Sequence, residues 1–134
     1  MNDVILGIGS NIDPETNIPQ ALEKLAARFR LVAQSDLIRT KPVGMTDQPD
    51  FLNAAVRIET DLSAAELKTT LKTLEDQLGR DRSKPKDGPR AIDLDIVVFN
   101  GQVVDPDVRR RDYLQLTVRQ VAPELGGDFS GDNT

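Results

Sequence analysis

Apolar and polar positions along this chain follow two periods, and each change of period marks an element boundary. Residues 4–8 are a short apolar run closing on Gly7, Gly9, Ser10 and Asn11, which predicts a strand entering a tight loop. Asp13-Pro14-Glu15 then predicts a helix start, with a capping side chain and proline in the first turn. Ile18, Ala21, Leu22, Leu25, Ala26 and Phe29 recur at helical spacing, giving one amphipathic helix over 16–29. Residues 31–39 predict a second, less cleanly patterned strand, and 40–49, with two prolines and a glycine, a loop. A loop of that length in a compact domain is more often functional than idle. Over 52–59, Leu52, Ala54, Val56 and Ile58 alternate with Asn53, Ala55, Arg57 and Glu59, a third strand. Ser63-Ala64-Ala65-Glu66 is a capping box, with Leu62 and Leu67 placed for a hydrophobic staple. Leu67, Leu71, Leu74 and Leu78 form a core stripe that Gly79 ends.

The stretch Lys86 to Asn100 organises the rest. Alternation from Ile92 puts Ile92, Leu94, Ile96 and Val98 on a core face and Asp93, Asp95, Val97 and Phe99 on the other. Two carboxylates in adjacent same-face positions lie roughly 7 Å apart at Cα and repel unless a cation stands between them. Oxygen-only pairs suit Mg²⁺, which takes one or two carboxylates and completes its shell with water and substrate phosphates. Upstream, Arg80, Arg82, Lys84, Lys86 and Arg90 form a basic run broken by Gly88 and Pro89, the cations a nucleotide polyphosphate needs. The same spacing also fits an exposed strand end after a solvated charged loop, and spacing alone does not choose. Asn100-Gly101 predicts a hairpin turn with a return strand over 102–104. Residues 114–121 are patterned but short, and 126–134 form a polar tail expected to be disordered. With no internal repeat, residues 1–125 predict a single domain.

Composition narrows the chemistry. The chain has no cysteine and no histidine, which excludes disulfides, Cys or His zinc sites, a Cys nucleophile and a His general base. Catalysis would fall to carboxylates, Lys or Arg, hydroxyls, backbone groups and a hard metal ion. A net charge of −5 argues against a general nucleic-acid coat. No run of eighteen apolar residues predicts a membrane span, and the N-terminus lacks signal-peptide character, so a cytoplasmic protein is expected.

The motif Lys86-x-Gly88-Pro89-Arg90-x-x-Asp93-Leu94-Asp95-Ile96-Val97 resembles that of the 6-hydroxymethyl-7,8-dihydropterin pyrophosphokinase family. Gly9-Ser10-Asn11 and Asp47-Gln48-Pro49-Asp50-Phe51-Leu52-Asn53-Ala54-Ala55 resemble two further blocks of that family in the same order. The likeness covers residues 3–104 continuously and returns from 111 to 125. It implies transfer of diphosphate from ATP to the hydroxymethyl group of the reduced pterin, in folate biosynthesis. By the same resemblance Asp93 and Asp95 hold two Mg²⁺ ions, Asp95 being catalytic with Arg80, Arg82 and Arg90. Glu75, Arg80, Arg82, Arg90 and Arg111 are implied at ATP, and Thr40, Pro42, Val43, Phe51, Asn53 and Tyr113 at the pterin, its ring between Phe51 and Tyr113. Taken alone, Phe51 and Asn53 fit a packed aromatic and a strand-end amide, and Glu75 a surface carboxylate.

The element order β-α-β-β-α-β with a short C-terminal region predicts an α+β ferredoxin-like sandwich, an antiparallel sheet with helices packed on one face. One departure stands out. The family's Pro-His segment after the hairpin is missing, leaving Asp105-Pro106-Asp107-Val108-Arg109-Arg110 before Arg111. Arg109 and Arg110 fit either a substitute phosphate contact or a solvated turn, and Asp87 stands where some members carry an aromatic. The shortening keeps a rival in view, a degenerate paralogue that binds pterin or nucleotide without efficient turnover. Another metal-dependent phosphotransferase or hydrolase would use the same aspartates. A ferredoxin-like RNA-binding module is disfavoured, because 4% aromatic content leaves few residues for base stacking. Small-molecule substrates are the expected partners, with neither nucleic acid nor membrane.

Overall fold

The computed structural model describes residues 1–83 and 88–125. Lys84, Lys86, Asp87 and the 126–134 tail, all part of the sequence reading, lie outside the described residues. β1 (Asn2–Ser10) leads into α1 (Pro14–Arg28), followed by β2 (Arg30–Gln34), β3 (Ile38–Thr40) and β4 (Phe51–Thr60). Then come α2 (Ala64–Gln77), β5 (Asp93–Phe99), β6 (Gln102–Val103) and α3 (Asp112–Val121), with 3₁₀ turns at Pro106–Arg109 and Pro123–Leu125. The strands form one antiparallel sheet ordered β2-β4-β1-β5-β6, with β3 pairing β4 beyond the end of β2. This is the α+β ferredoxin-like arrangement expected from the element order. No helix among the described residues is long and apolar enough to cross a membrane.

Alternation explains the core. Val4, Leu6 and Ile8 of β1 and Leu52, Val56 and Ile58 of β4 turn one way, onto the stripes of α1 and α2. The opposite face is half-covered. Ile5, Ala55, Val97 and Val98 meet Leu114, Val118 and Val121 of α3 there. So α1 and α2 share one face as expected, while the third helix builds a second, smaller core on the other. The uncovered part of that second face is where the site lies.

The sequence reading needs five corrections. The strand expected over 31–39 is two strands, β2 and β3, along one edge of β4. Ser35 spans the break: its N–H donates to the Ala55 carbonyl at 2.9 Å, and its hydroxyl accepts the Ala55 N–H at 2.8 Å. Second, Asp13 starts α1 without a side-chain cap; it takes φ 43°, and its carbonyl accepts from Thr16 and Asn17. The Ser63–Glu66 capping box, by contrast, is complete. Third, the alternation in β5 does not run to its end. The β1–β5 register shifts between Ile5 and Leu6, so that Ile5 pairs Val98 and Leu6 pairs Ile96. This bulge turns Val98 to the α3 side beside Val97, and Phe99 back toward α1 and α2, reversing the faces expected for Val98 and Phe99. Fourth, the return strand stops at Val103, not at 104. Last, α3 begins at Asp112, two residues before the predicted pattern.

Candidate active site

Strand register builds the site floor. On β1, Gly9 faces Asp93 of β5 and Asn53 of β4, and Gly7 faces Asp95 and Ala55. A β-carbon at Gly7 would stand 3.2 Å from the Val97 side chain, and one at Gly9 3.2 Å from Asn53 Oδ1. The two glycines therefore keep the centre of the sheet open between the aspartates and β4. Above them lies a cavity of about 240 Å³. It brings together Thr40, Val43, Phe51 and Asn53 on one side and Arg90, Asp93 and Asp95 on another, with Arg111 and Tyr113 from the start of α3. Nine of the thirteen residues singled out in the sequence thus line one cavity.

The other four do not line it. Glu75 is buried on α2, where Oε2 accepts the Leu94 N–H at 2.7 Å and Oε1 accepts from Arg82 at 2.9 Å. Arg82 also pairs Asp76, so both groups tie the arginine loop to α2 and β5. Arg80 stands just behind the cavity, donating to Asp93 Oδ1 at 2.8 Å and to the Ile92 carbonyl at 3.1 Å. Pro42 sits in the loop beside lining residues Lys41 and Val43, outside the cavity wall. Arg109 and Arg110 are exposed and do not line it either.

The two aspartates have unlike surroundings. Asp93 is held on both oxygens, by Arg80 on Oδ1 and by Arg90 on Oδ2 at 2.9 Å. Asp95 has no ion pair among the described residues and stays open to the cavity. Desolvation in the cleft, then the charges of Asp93, Glu75 and Asp105, push its carboxyl up to about 7. Asp95 is an oxygen donor without a cation. The described residues contain no group of three carboxylates or other donors able to enclose a metal. Carboxylate oxygens facing a cavity in this way are donors of the kind that hard ions such as Mg²⁺ accept alongside phosphate oxygens.

The opposite side suits a flat heterocycle. Asn53 Nδ2 donates to the Ile38 carbonyl at 3.1 Å and to Thr40 Oγ1 at 2.8 Å. A carbonyl can only accept, which fixes the amide orientation and leaves Oδ1 over Gly9 as an acceptor for ligand N–H groups. The Arg90 guanidinium lies 5.0 Å from the Phe51 ring centroid, joining the aromatic side to the phosphate side. Burial raises the Tyr113 hydroxyl pKa, so this ring remains a neutral stacking surface.

Sequence reasoning missed Gly7, Lys41, Asp105 and Asp107 as wall residues. Gly-x-Gly inside a strand is a signal for close approach, and it was available. The acidic pair follows from the 3₁₀ turn, which no periodicity announces.

The family model for 7,8-dihydro-6-hydroxymethylpterin-pyrophosphokinase matches residues 5–123. Three relatives are named 2-amino-4-hydroxy-6-hydroxymethyldihydropteridine pyrophosphokinase. The Methylorubrum extorquens protein is 39% identical, over 96% of this chain and 89% of its own length. The Haemophilus influenzae protein is 30% identical, over 90% and 81%. The Bacillus subtilis protein is 40% identical, over 80% and 66%. With a match that spans the whole cavity and both faces of the sheet, this chain belongs to the 7,8-dihydro-6-hydroxymethylpterin-pyrophosphokinase family.

Proposed function

We propose that this chain transfers the diphosphoryl group of ATP to the hydroxymethyl oxygen of 6-hydroxymethyl-7,8-dihydropterin, releasing AMP, as a step of folate biosynthesis. One observation carries the reading: a single cavity joins groups that read a flat ring to a carboxylate-arginine cluster that suits a triphosphate. The hydroxyl oxygen bonds to the β-phosphorus while the bond from that phosphorus to the α,β-bridging oxygen breaks; the bridging oxygen leaves with AMP, and the hydroxyl proton is lost to solvent. Such a transfer needs alignment and charge stabilisation more than a strong base, so the absence of histidine is no chemical obstacle.

The roles follow from position. Phe51 and Tyr113 supply stacking surfaces, Asn53 Oδ1 accepts from the pterin amide edge, and Thr40 and Val43 line its rim. Arg90 and Arg111 neutralise phosphate charge from the cavity wall, and Arg80 does so by rotating off Asp93. Pro42 shapes the rim; Arg82 and Glu75 anchor the arginine loop close to the nucleotide. Asp93 and Asp95 would hold two Mg²⁺ ions, which supply positive charge along the triphosphate when bound. A cytoplasmic location and small-molecule partners without nucleic acid belong to the same reading.

An AMP-release assay with ATP, Mg²⁺ and the reduced pterin tests it. AMP formation should require both the pterin and the divalent ion. Tight pterin binding with no AMP release would show instead a binder without turnover.

A further inference from the structure

We propose that Asn11 is a positioning residue that sets the ring-binding loop and the phosphate-binding loop in one register. The inference rests on the transfer reading above. Asn11 is 3% exposed and does not line the cavity. Its side-chain Nδ2 donates to Gln48 Oε1 at 2.8 Å and to the Pro49 carbonyl at 3.0 Å. Its Oδ1 accepts the Arg90 N–H at 2.8 Å, and its own N–H donates to the Arg90 carbonyl at 3.1 Å.

Two of these bonds go to the loop that delivers Phe51, and two to the residue whose guanidinium stacks on Phe51 and binds Asp93. Asn11 thus holds Arg90 directly by its backbone, and holds the segment entering Phe51 through the Gln48 side chain and the Pro49 carbonyl. Among the described residues the Arg90 Nε is buried without a hydrogen-bond partner, so the side chain is fixed only at its tip, by Asp93 and the Phe51 ring, and at its backbone, by Asn11. A residue that merely closed a strand end would bond within its own turn, as Ser10 Oγ does with the Ile12 carbonyl. Asn11 instead links segments 37 to 79 residues away. Misplacement of a reacting group by a fraction of an ångström lowers the rate without touching the substrate.

The test is a kinetic cycle of wild type, Asn11→Ala, Arg90→Ala and the double variant, with Tm for each. Asn11→Ala should lower kcat about tenfold in the wild-type background, and less than about twofold once Arg90 is gone, because Asn11 acts through it. Effects that multiply across the two backgrounds overturn the proposal and leave Asn11 a structural residue. Asn11→Asp keeps the acceptor for the Arg90 N–H but loses both donors to the other loop. It should retain kcat within about threefold and raise KM for the pterin about tenfold. Loss of kcat with unchanged pterin KM would overturn the division of roles. Should Asn11→Ala not fold, Asn11→Asp and Gln48→Ala decide, both raising the pterin KM with kcat kept; a fall in kcat in either overturns the proposal. If the wild-type protein forms no AMP, the transfer reading fails. The cycle is then read as affinity for a non-hydrolysable ATP analogue, where multiplying effects again overturn the role of Asn11 and non-multiplying ones support it.

Discussion

Asp93 and Asp95 occupy equivalent places in the strand pattern, yet only Asp95 faces the cavity without a cation of its own. Its carboxyl pKa, raised to about 7, means that ionisation costs the folded state stability; the cost is absent below the unfolded value near 4 and grows as pH rises to 7. Asp95→Asn should therefore leave the metal-free protein equally or more heat-stable at pH 8, with the gain vanishing toward pH 4. The same variant should lose about 10²–10³-fold in kcat, the scale of several kcal/mol of charge stabilisation. A drop in metal-free Tm at pH 8, or activity that survives, would contradict this. Phe51→Ala should weaken pterin binding by about 1–3 kcal/mol in calorimetry, the scale of aromatic stacking on a flat base. Nucleotide affinity should fall less, since Arg90 loses a support and keeps Asp93. Equal losses for both ligands would indicate a damaged fold. At this scale the placement was legible: shared strand faces put Asp93 with Asp95 and Phe51 with Asn53, and all four line the cavity, while their ligand roles rested on the family resemblance. The Arg80–Asp93–Arg90 clamp was not, since contacts between side chains thirteen residues apart depend on how a loop returns.

A short apolar run found β1, period-two alternation found β4 and most of β5, and period 3.6 found α1 and α2. Those patterns cannot show the bulge that turns Val98 around, nor which face a third helix will cover. α3 covers the site face and brings Tyr113 and Arg111 to the cavity, and Arg57 of β4 holds its far end. The guanidinium donates to the Val121 carbonyl at 3.1 Å and pairs with Asp3 at 2.7 Å and Glu124 at 2.6 Å. Arg57→Ala leaves that carbonyl and the half-buried end of the helix without their shared partner. It should lower stability by about 1–3 kcal/mol, and amide exchange should speed up first in residues 112–125. Uniform acceleration across the sheet would mean that Arg57 supports the whole fold and not this helix.

Viewed as a whole, the molecule sets an aromatic and amide side and a carboxylate–arginine side around one cavity on the sheet, with a short connection between β6 and α3. That connection is a single 3₁₀ turn, which puts Asp105 and Asp107 on the cavity wall and leaves Arg109 and Arg110 in solvent. Asp105 is fixed in place, its carboxylate accepting the Asp107 N–H at 2.9 Å. Two carboxylates on the wall oppose a polyphosphate; Arg111 at the start of α3 shares that wall, and Arg110 acts on Asp105 from outside it. On the proposed function, Arg90 and Arg111 stand on the wall for phosphate contacts, while a turn of four residues offers little surface to read an adenine. Triphosphate binding with Mg²⁺ should therefore discriminate weakly between ATP and GTP, within about tenfold or 1.4 kcal/mol. Arg111→Ala should weaken both nucleotides, and more at low salt than at high, because the contact is charge to charge. Arg110→Ala should leave affinity within about twofold, since a solvated cation contributes little. Titrating ATP and GTP against wild type and the two variants decides. Strong adenine selectivity, or a large loss from Arg110→Ala, would mean that the segment between β6 and α3 folds over the bound nucleotide.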